Sequence, residues 1–373
     1  MAMRLGFMVC FDRPDAASGT SEHTGSATPD RRGRVVRFEG MTTVPEETST
    51  SVPVPVPVPT NDRRTILGHA LGPLLRKTLE GRLGEIRWFR TDWQRSGAAT
   101  GRARWTTATG EELEVVVKLP VSEREFRWLG RLQDAIEPLP VPKLLASGDL
   151  LGGYDLAWVV IEHLPFGPLG THWEDDHILR MTEAAARFQA AAAGHPIDRP
   201  IRQEDWERLL KRSREAVRGQ KISQPTRWRR TLKSVARHLD AIAEEWQGRG
   251  PIAWIHGDLH LANGMGRETN GTGPVVLIDL AEVRPGHWVE DAVYLERLHW
   301  ARPERLKGRN PVRLLAAARR RRGLEVDEDH PRLADLRRIL IAACAPAFLK
   351  TEGLPRYLDA ALDHLERGLR RFA

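Results

Sequence analysis

The chain has 373 residues, 41% of them hydrophobic and 29% charged, with a formal net charge of +7; that length can bury a large core and, once a polar N-terminal stretch is set aside, supports two lobes. Its two cysteines, Cys10 and Cys344, are too few for a disulfide framework and fit a reducing compartment. The longest uncharged apolar run, Ile339 to Leu349, is shorter than a membrane span and is broken by Pro346. The apolar part of Met1 to Phe11 is too brief for a secretory signal, so the cytoplasm is the expected location.

Residues 1–60 are rich in Ser, Thr, Pro, Gly and Glu and end in a Val-Pro repeat, Val52 to Pro59. Alternate prolines remove backbone donors and favour an extended spacer, and such a composition cannot form a core. The stretch is expected to be a disordered tail, with Met41 read as an alternative start that leaves the first 40 residues untranslated. Arg63 to Glu80 then places Ile66, Leu67, Ala70, Leu71, Leu74, Leu75 and Leu79 on one helical face, stopped by Gly81 and Gly84.

Three strand candidates follow: Glu85 to Trp93, Gly101 to Thr107 and Glu112 to Leu119. The small-residue turn Gln94 to Gly101, which includes Ser96 and Gly97, either lies over phosphates with its N–H groups or is a plain hairpin. The third strand is β-branched and carries Lys118, the one lysine between Lys77 and Lys143 in a chain of eight lysines and 49 arginines. Where arginine is so preferred, a lysine on a buried-looking strand points to a need for a compact ammonium; the plainer reading is an exposed edge lysine. The helix Ser122 to Asp134 opens on an N-cap serine. Glu125 shares its inner face with Trp128 and Leu129, whereas Glu123 lies near the cap and favours the helix dipole.

Pro138, Pro140 and Pro142 form a stiff connector into Lys143 to Ala146, and Gly152-Gly153 turns into a strand, Tyr154 to Ile161, that breaks at Glu162 to Gly167. Helices dominate from there: Asp176 to Ala193, Gln203 to Arg218, Arg227 to Gly248, Val289 to Trp300, Pro311 to Arg322, Pro331 to Ala345 and Leu354 to Phe372.

Between the third and fourth of these helices lies the sharpest polar pattern. A short apolar run, Ile252 to Ile255, ends at His256 and Asp258; Asn263 follows, then a Gly- and Asn-rich insert, then the strand Val275 to Ile278 ending at Asp279. Two strand ends joined by a loop put three polar groups in one small volume. Mg²⁺ is a hard cation that prefers oxygen donors, which suits Asn263 and Asp279. Asp258, with no cation beside it in sequence, suits the carboxylate that accepts a hydroxyl proton. A merely solvated turn leaves apolar strands ending in acids unexplained, since buried charge needs a partner or a metal. His256, Asp258 and His260 also alternate toward one face, as transition-metal ligands of a hydrolase do, though no further cluster at ligand spacing completes that site.

His256, Gly257, Asp258, His260, Asn263, Ile278 and Asp279 together resemble the H-G-D-x-H-x-x-N and I-D pattern of the aminoglycoside phosphotransferase and choline kinase family, a branch of the protein-kinase-like phosphotransferases. The resemblance implies an α+β, protein-kinase-like bilobal fold. It divides the chain into a tail (1–60), a small β-rich nucleotide-binding N-lobe (61–162) and a larger, mostly helical C-lobe (163–373) with the catalytic loop and acceptor site. It implies ATP or GTP as co-substrate, Asp258 as catalytic base, Asn263 and Asp279 as Mg²⁺ ligands, and Lys118 on the α- and β-phosphates, held by Glu125. Ser96 and Gly97 would cover the phosphates, and backbone groups at Glu162 and Leu164 would meet the adenine edge. His256 would pack under the loop, with Gly286 and Asp291 bracing it. The implied reaction moves the γ-phosphate to a hydroxyl of a small molecule; the alternatives are a catalytically silent nucleotide-binding module and a His/Asp metal hydrolase.

The positive excess lies at the C-terminus, with 17 Lys and Arg against 10 Asp and Glu over 301–373. A polycationic amino sugar favours an acid-rich pocket, so a neutral or anionic acceptor is expected unless Asp327, Glu328, Asp329, Asp359 and Asp363 converge. Arg319 to Arg322 ends a helix, where cations favour the dipole, and no stacking aromatics alternate with it; it reads as a solvated helix end rather than a nucleic-acid contact.

Overall fold

In Glu112–Leu119, residues of one parity, Val115, Val117 and Leu119, are fully buried, while Val116 and Lys118 between them are half-buried on the other face of the strand. That alternation sets the layers of the N-lobe. The computed structural model describes residues 63–89, 97–171, 173–174 and 176–372. The tail with Met41 and its Val-Pro repeat, and the part of the expected phosphate turn that includes Ser96, lie outside the described residues.

After helix α1 (Arg63–Thr78), strands β1 (Arg87–Phe89), β2 (Ala99–Thr106), β3 (Glu112–Leu119), β4 (Leu144–Leu151) and β5 (Tyr154–Glu162) form an antiparallel sheet in the order β1-β2-β3-β5-β4. Leu75 of α1 packs with Trp105, Val115, Val117 and Val160 on one face. Helix α2 (Glu123–Arg131), capped by the Ser122 hydroxyl accepting from Glu125 N at 3.1 Å, covers the other face; its Trp128 and Leu129 join a larger core that continues through the helical lobe.

That lobe contains α3 (His177–Ala192), α4 (Trp206–Gly219), α5 (Pro225–Gln247), α6 (Val289–Arg297), α7 (Pro311–Arg321), α8 (His330–Cys344), the single turn α9 (Leu349–Glu352) and α10 (Pro355–Phe372). Phe188, Trp228, Trp246 and Trp288 fill its centre. Two small antiparallel pairs sit between the lobes: β6 (Ala253–Ile255) with β9 (Arg284–Gly286), and β7 (Gly264–Met265) with β8 (Val276–Leu277). The result is the expected α+β, protein-kinase-like two-lobed fold.

Helix and strand positions follow the periodicity closely, with two kinds of exception. β4 reads in sequence only as a connector, because Ser147, Gly148 and Asp149 are poor strand formers and it lies at the sheet edge. β7 and β9 are two and three residues long, too short for alternation to show. The Arg319 to Arg322 cluster is also corrected in part. Arg319 is buried, donating to Gln189 Oε1 at 2.6 Å and Glu325 O at 2.8 Å beneath Trp288, while Arg321 and Arg322 pair with Glu183 of α3.

Candidate active site

The β7–β8 ladder brings two polar strand ends side by side. Ile278 N donates to Asn263 O at 3.0 Å, so Asp279, the next residue, emerges beside Asn263. Asp279 adopts a left-handed backbone, φ +61°, which ends the strand and starts a 3₁₀ turn, Leu280–Glu282, packed against α2. Arg124 of α2 closes that contact by donating to Ala281 O at 3.1 Å.

Across the cleft, Lys118 Nζ lies 2.7 and 2.8 Å from the two oxygens of Glu125 and 3.6 Å from Asp279 Oδ1. Glu125 is thus the partner of Lys118; Glu123 pairs instead with Arg127, one turn along the same helix. Burial opposes the ammonium, but the carboxylates of Glu125 and Asp279 outweigh it and hold Lys118 above the ordinary lysine range. Burial, with the charge of Asp279 adding to it, pushes the Glu125 carboxyl up against the pull of Lys118; with both its oxygens on the ammonium, the pair is ionic.

Asp258 occupies the bend between β6 and Asn263. Its Oδ1 accepts from Tyr294 Oη at 2.7 Å, and Asn263 Nδ2 donates to its backbone carbonyl at 3.0 Å. With Nδ2 so engaged, Asn263 has its carbonyl oxygen left for a cation. Burial works against the charge on Asp258, but the hydrogen bond and charge of His260, the Tyr294 hydroxyl and His256 outweigh it and hold the carboxyl well below the usual range. The loop backbone is fixed from α6: Asp291 accepts from His256 N and Gly257 N. Gly286, paired with Ala253, leaves room there for Ile255 and Glu290.

His256 is wholly buried, and both its ring nitrogens are committed, Nδ1 accepting from Asp258 N at 3.3 Å and Nε2 donating to Ile278 O at 3.1 Å. No lone pair remains for a metal, which removes the hydrolase reading of His256, Asp258 and His260. Among the described residues the metal-capable side chains that cluster are Glu174, Asp176 and His177. There His177 Nδ1 accepts from Glu174 N at 3.3 Å, so its Nε2 carries the proton and offers no ligand electron pair.

A bound Mg²⁺ fits the residues present. Asp279 has 42% of its side chain exposed and the adjacent Asn263 a spare oxygen, a hard-donor pair of the kind that holds this ion together with phosphates. At the break after β5, Glu162 N is spent on Lys143 O at 2.9 Å and the Glu162 carboxylate on Arg267; any contact of Glu162 with a nucleotide is left to its carbonyl. The acids named as possible acceptor ligands do not converge: Asp327 accepts from His287 and Trp288, Asp359 from Gln224, and Asp363 from Arg227. Sequence reasoning missed Tyr294, Arg267 and Gln189, whose partners are over 30 residues away; no local pattern marks them.

A two-lobed α+β fold, a strand lysine ion-paired to a helix glutamate, and an Asp-Asn-Asp loop between the lobes define a protein-kinase-like phosphotransferase, an enzyme that uses an alcohol group as acceptor. The model of the phosphotransferase enzyme family matches residues 94–336, and this chain belongs to that family. No curated protein matches the sequence. The fold is similar to that of a microcompartment-associated aminopropanol kinase, at 17% identity and TM-score 0.52 over 80% of this chain and 98% of that one. More distant in shape are the aminoglycoside phosphotransferase of Alicyclobacillus acidocaldarius (15% identity, TM-score 0.49, 78% and 90% covered) and the amicoumacin kinase hAmiN (15% identity, TM-score 0.46, 83% and 99% covered). Among the described residues no helix is long and apolar enough to cross a membrane.

Proposed function

We propose that the chain transfers the γ-phosphate of ATP or GTP to a hydroxyl of a small molecule, with Mg²⁺ on Asn263 and Asp279. The observation that carries this reading is the position of Lys118 Nζ, between Glu125 at 2.7 Å and Asp279 at 3.6 Å. An ammonium so held has donor capacity and charge directed at the mouth of the cleft, where the α- and β-phosphates would lie, and Gly97 lies two residues before β2, the strand paired with β3. The hinge backbone at Glu162 and Leu164 would take the purine edge. Held by Asn263 and Asp279, Mg²⁺ would neutralise charge on the phosphates during transfer.

Asp258 then receives the acceptor. The hydroxyl oxygen attacks the γ-phosphorus, the bond from that phosphorus to the bridging oxygen breaks, the nucleoside diphosphate leaves, and the hydroxyl proton passes to the Asp258 carboxylate. Asp258 contributes by orienting the hydroxyl toward the phosphorus and by receiving its proton.

The acceptor proposed is a small alcohol with at most one positive charge. Asp327, Asp359 and Asp363 are engaged in structural contacts, and among the described residues Glu174 and Asp176 are exposed beside Trp173, whose ring meets His299 at 5.3 Å past the end of α6. One carboxylate pair suits one ammonium better than a polycationic sugar.

The test is Mg²⁺-dependent formation of a phosphorylated product from ATP or GTP against pooled neutral, acidic and amino alcohols, read by mass. Wild type gains one phosphate on one class and Asp258→Ala gives none. Nucleotide binding without any turnover would instead establish a silent binding module.

A further inference from the structure

The Asp258 carboxylate has one short hydrogen bond, and it comes from α6: Tyr294 Oη donates to Oδ1 at 2.7 Å. The other oxygen, Oδ2, has longer contacts, with His260 Nε2 and Asn263 Nδ2 both at 3.4 Å. Full-strength N–H···O bonds span about 2.7–3.2 Å, so Oδ2 keeps capacity for a further donor.

We propose that Tyr294 is a positioning residue whose hydroxyl fixes Oδ1 of Asp258 and thereby turns Oδ2 toward the acceptor hydroxyl. This rests on the reading of Asp258 as the base. The phenol is itself held: the Arg297 guanidinium lies over its ring at 4.6 Å, and Arg297 NH1 donates to Tyr357 Oη of α10 at 3.2 Å. A buried ring fixed on two sides is a clamp rather than a lid. Burial also keeps the phenol protonated, so it acts as a donor. Asp291 lies three residues earlier on α6 and holds the backbone of the same loop. One short helix therefore sets both the path of the catalytic loop and the orientation of its carboxylate.

Tyr294→Phe removes the hydroxyl and keeps the ring. The assay is hydrolysis of MgATP and MgGTP with water as acceptor, which needs no knowledge of the natural alcohol. The expected result is a kcat lower by about 10-fold with the nucleotide KM changed less than about 2-fold, because the loss is in orientation rather than in nucleotide binding. An unchanged kcat overturns the proposal, and so does a raised one, which would make Tyr294 a shield against water. A second measurement needs neither activity nor that variant. With tyrosine labelled at Cζ, the Tyr294 resonance is expected to move when Asp258→Ala is introduced; a resonance that stays in place overturns the proposal. Absence of turnover in wild type with water and with every pooled alcohol overturns the kinase reading and this role with it, whereas a Phe variant as fast as an active wild type overturns only the role.

Discussion

Asp291 holds Gly257 by its backbone: Oδ1 accepts from Gly257 N at 2.9 Å while Oδ2 accepts from His256 N at 3.0 Å. Gly257 has φ +79°, and a Cβ there would lie 2.3 Å from Glu282 O, so glycine is required for the loop to pass between Asp291 and Glu282. Asp291→Ala leaves two buried N–H groups without acceptors and is expected to cost about 2–4 kcal/mol. Urea unfolding followed by circular dichroism checks this. A midpoint equal to wild type would mean that the loop is held by other contacts.

The parts of this arrangement that were legible in sequence are those set by local spacing. The strand ends at Asp258 and Asp279, the lysine on β3 and the choice of Glu125 over Glu123 each follow from periodicity of 2 or 3.6 within a few residues. What sequence could not show are contacts between distant segments. Four consecutive arginines look equivalent from 319 to 322, yet Arg319 alone is buried, and through Gln189 it reaches Asp291, whose Oδ2 lies 3.4 Å from Gln189 Nε2. The difference arises from which side of α7 meets α3 and Trp288, a tertiary fact that composition does not carry. Likewise Tyr294 lies 36 residues from Asp258 on a helix buried along its whole length, so no polar face singles it out.

The Lys118–Glu125 pair predicts a split between charge and shape. Glu125→Gln preserves volume but leaves the ammonium with Asp279 as its remaining carboxylate partner, drawing Lys118 away from the phosphates. Nucleotide-dependent turnover is expected to fall by about 10- to 100-fold in kcat/KM. Lys118→Arg is expected to do no better than Glu125→Gln, because the planar guanidinium does not fit the space of a compact ammonium. Steady-state kinetics of both variants decide this; an active Arg variant would show that charge alone suffices.

Glu290 predicts how the fold responds to acid. It is enclosed by Arg249, Arg284 and Arg337 at 3.2, 3.0 and 3.9 Å. Burial works against its charge, but the three guanidiniums outweigh it and bring its pKa from 4.5 down to about 2. His299 and His364 are brought from 6.5 to about 4, chiefly by burial. All three groups are weaker proton acceptors folded than unfolded, so the unfolded chain takes up more protons and stability falls as pH falls. The histidine contribution is lost from about pH 6.5 to 4 and that of Glu290 from about pH 4.5 to 2. Urea midpoints measured across this range should decline in two stages, and Glu290→Gln should flatten the lower one. A midpoint constant down to about pH 3 would contradict this.

The hinge predicts a coupling between stability and nucleotide affinity. Arg267, in the insert between β7 and β8, donates Nε to Glu162 Oε1 and Oε2 at 3.0 and 3.2 Å and NH2 to Oε1 at 2.7 Å. Its NH1 and NH2 also reach Leu139 O and Val141 O, both at 3.0 Å. Glu162 Oε1 also accepts from Lys143 N at 2.8 Å. One guanidinium thus joins the end of β5, the proline-rich connector and the helical lobe at the place where the purine would sit. Arg267→Ala removes all of the guanidinium's bonds and leaves the Glu162 carboxylate with Lys143 N as its remaining donor, at an expected cost of about 2–4 kcal/mol. The nucleotide KM should rise several-fold with kcat less affected, since the lost contacts position the hinge and not the phosphates. Arg267→Lys should recover little of either, because an ammonium cannot span the carboxylate and both carbonyls at once. Thermal unfolding with and without MgATP separates the two effects. A lysine variant matching wild type in both would mean that the fork geometry contributes nothing beyond its charge.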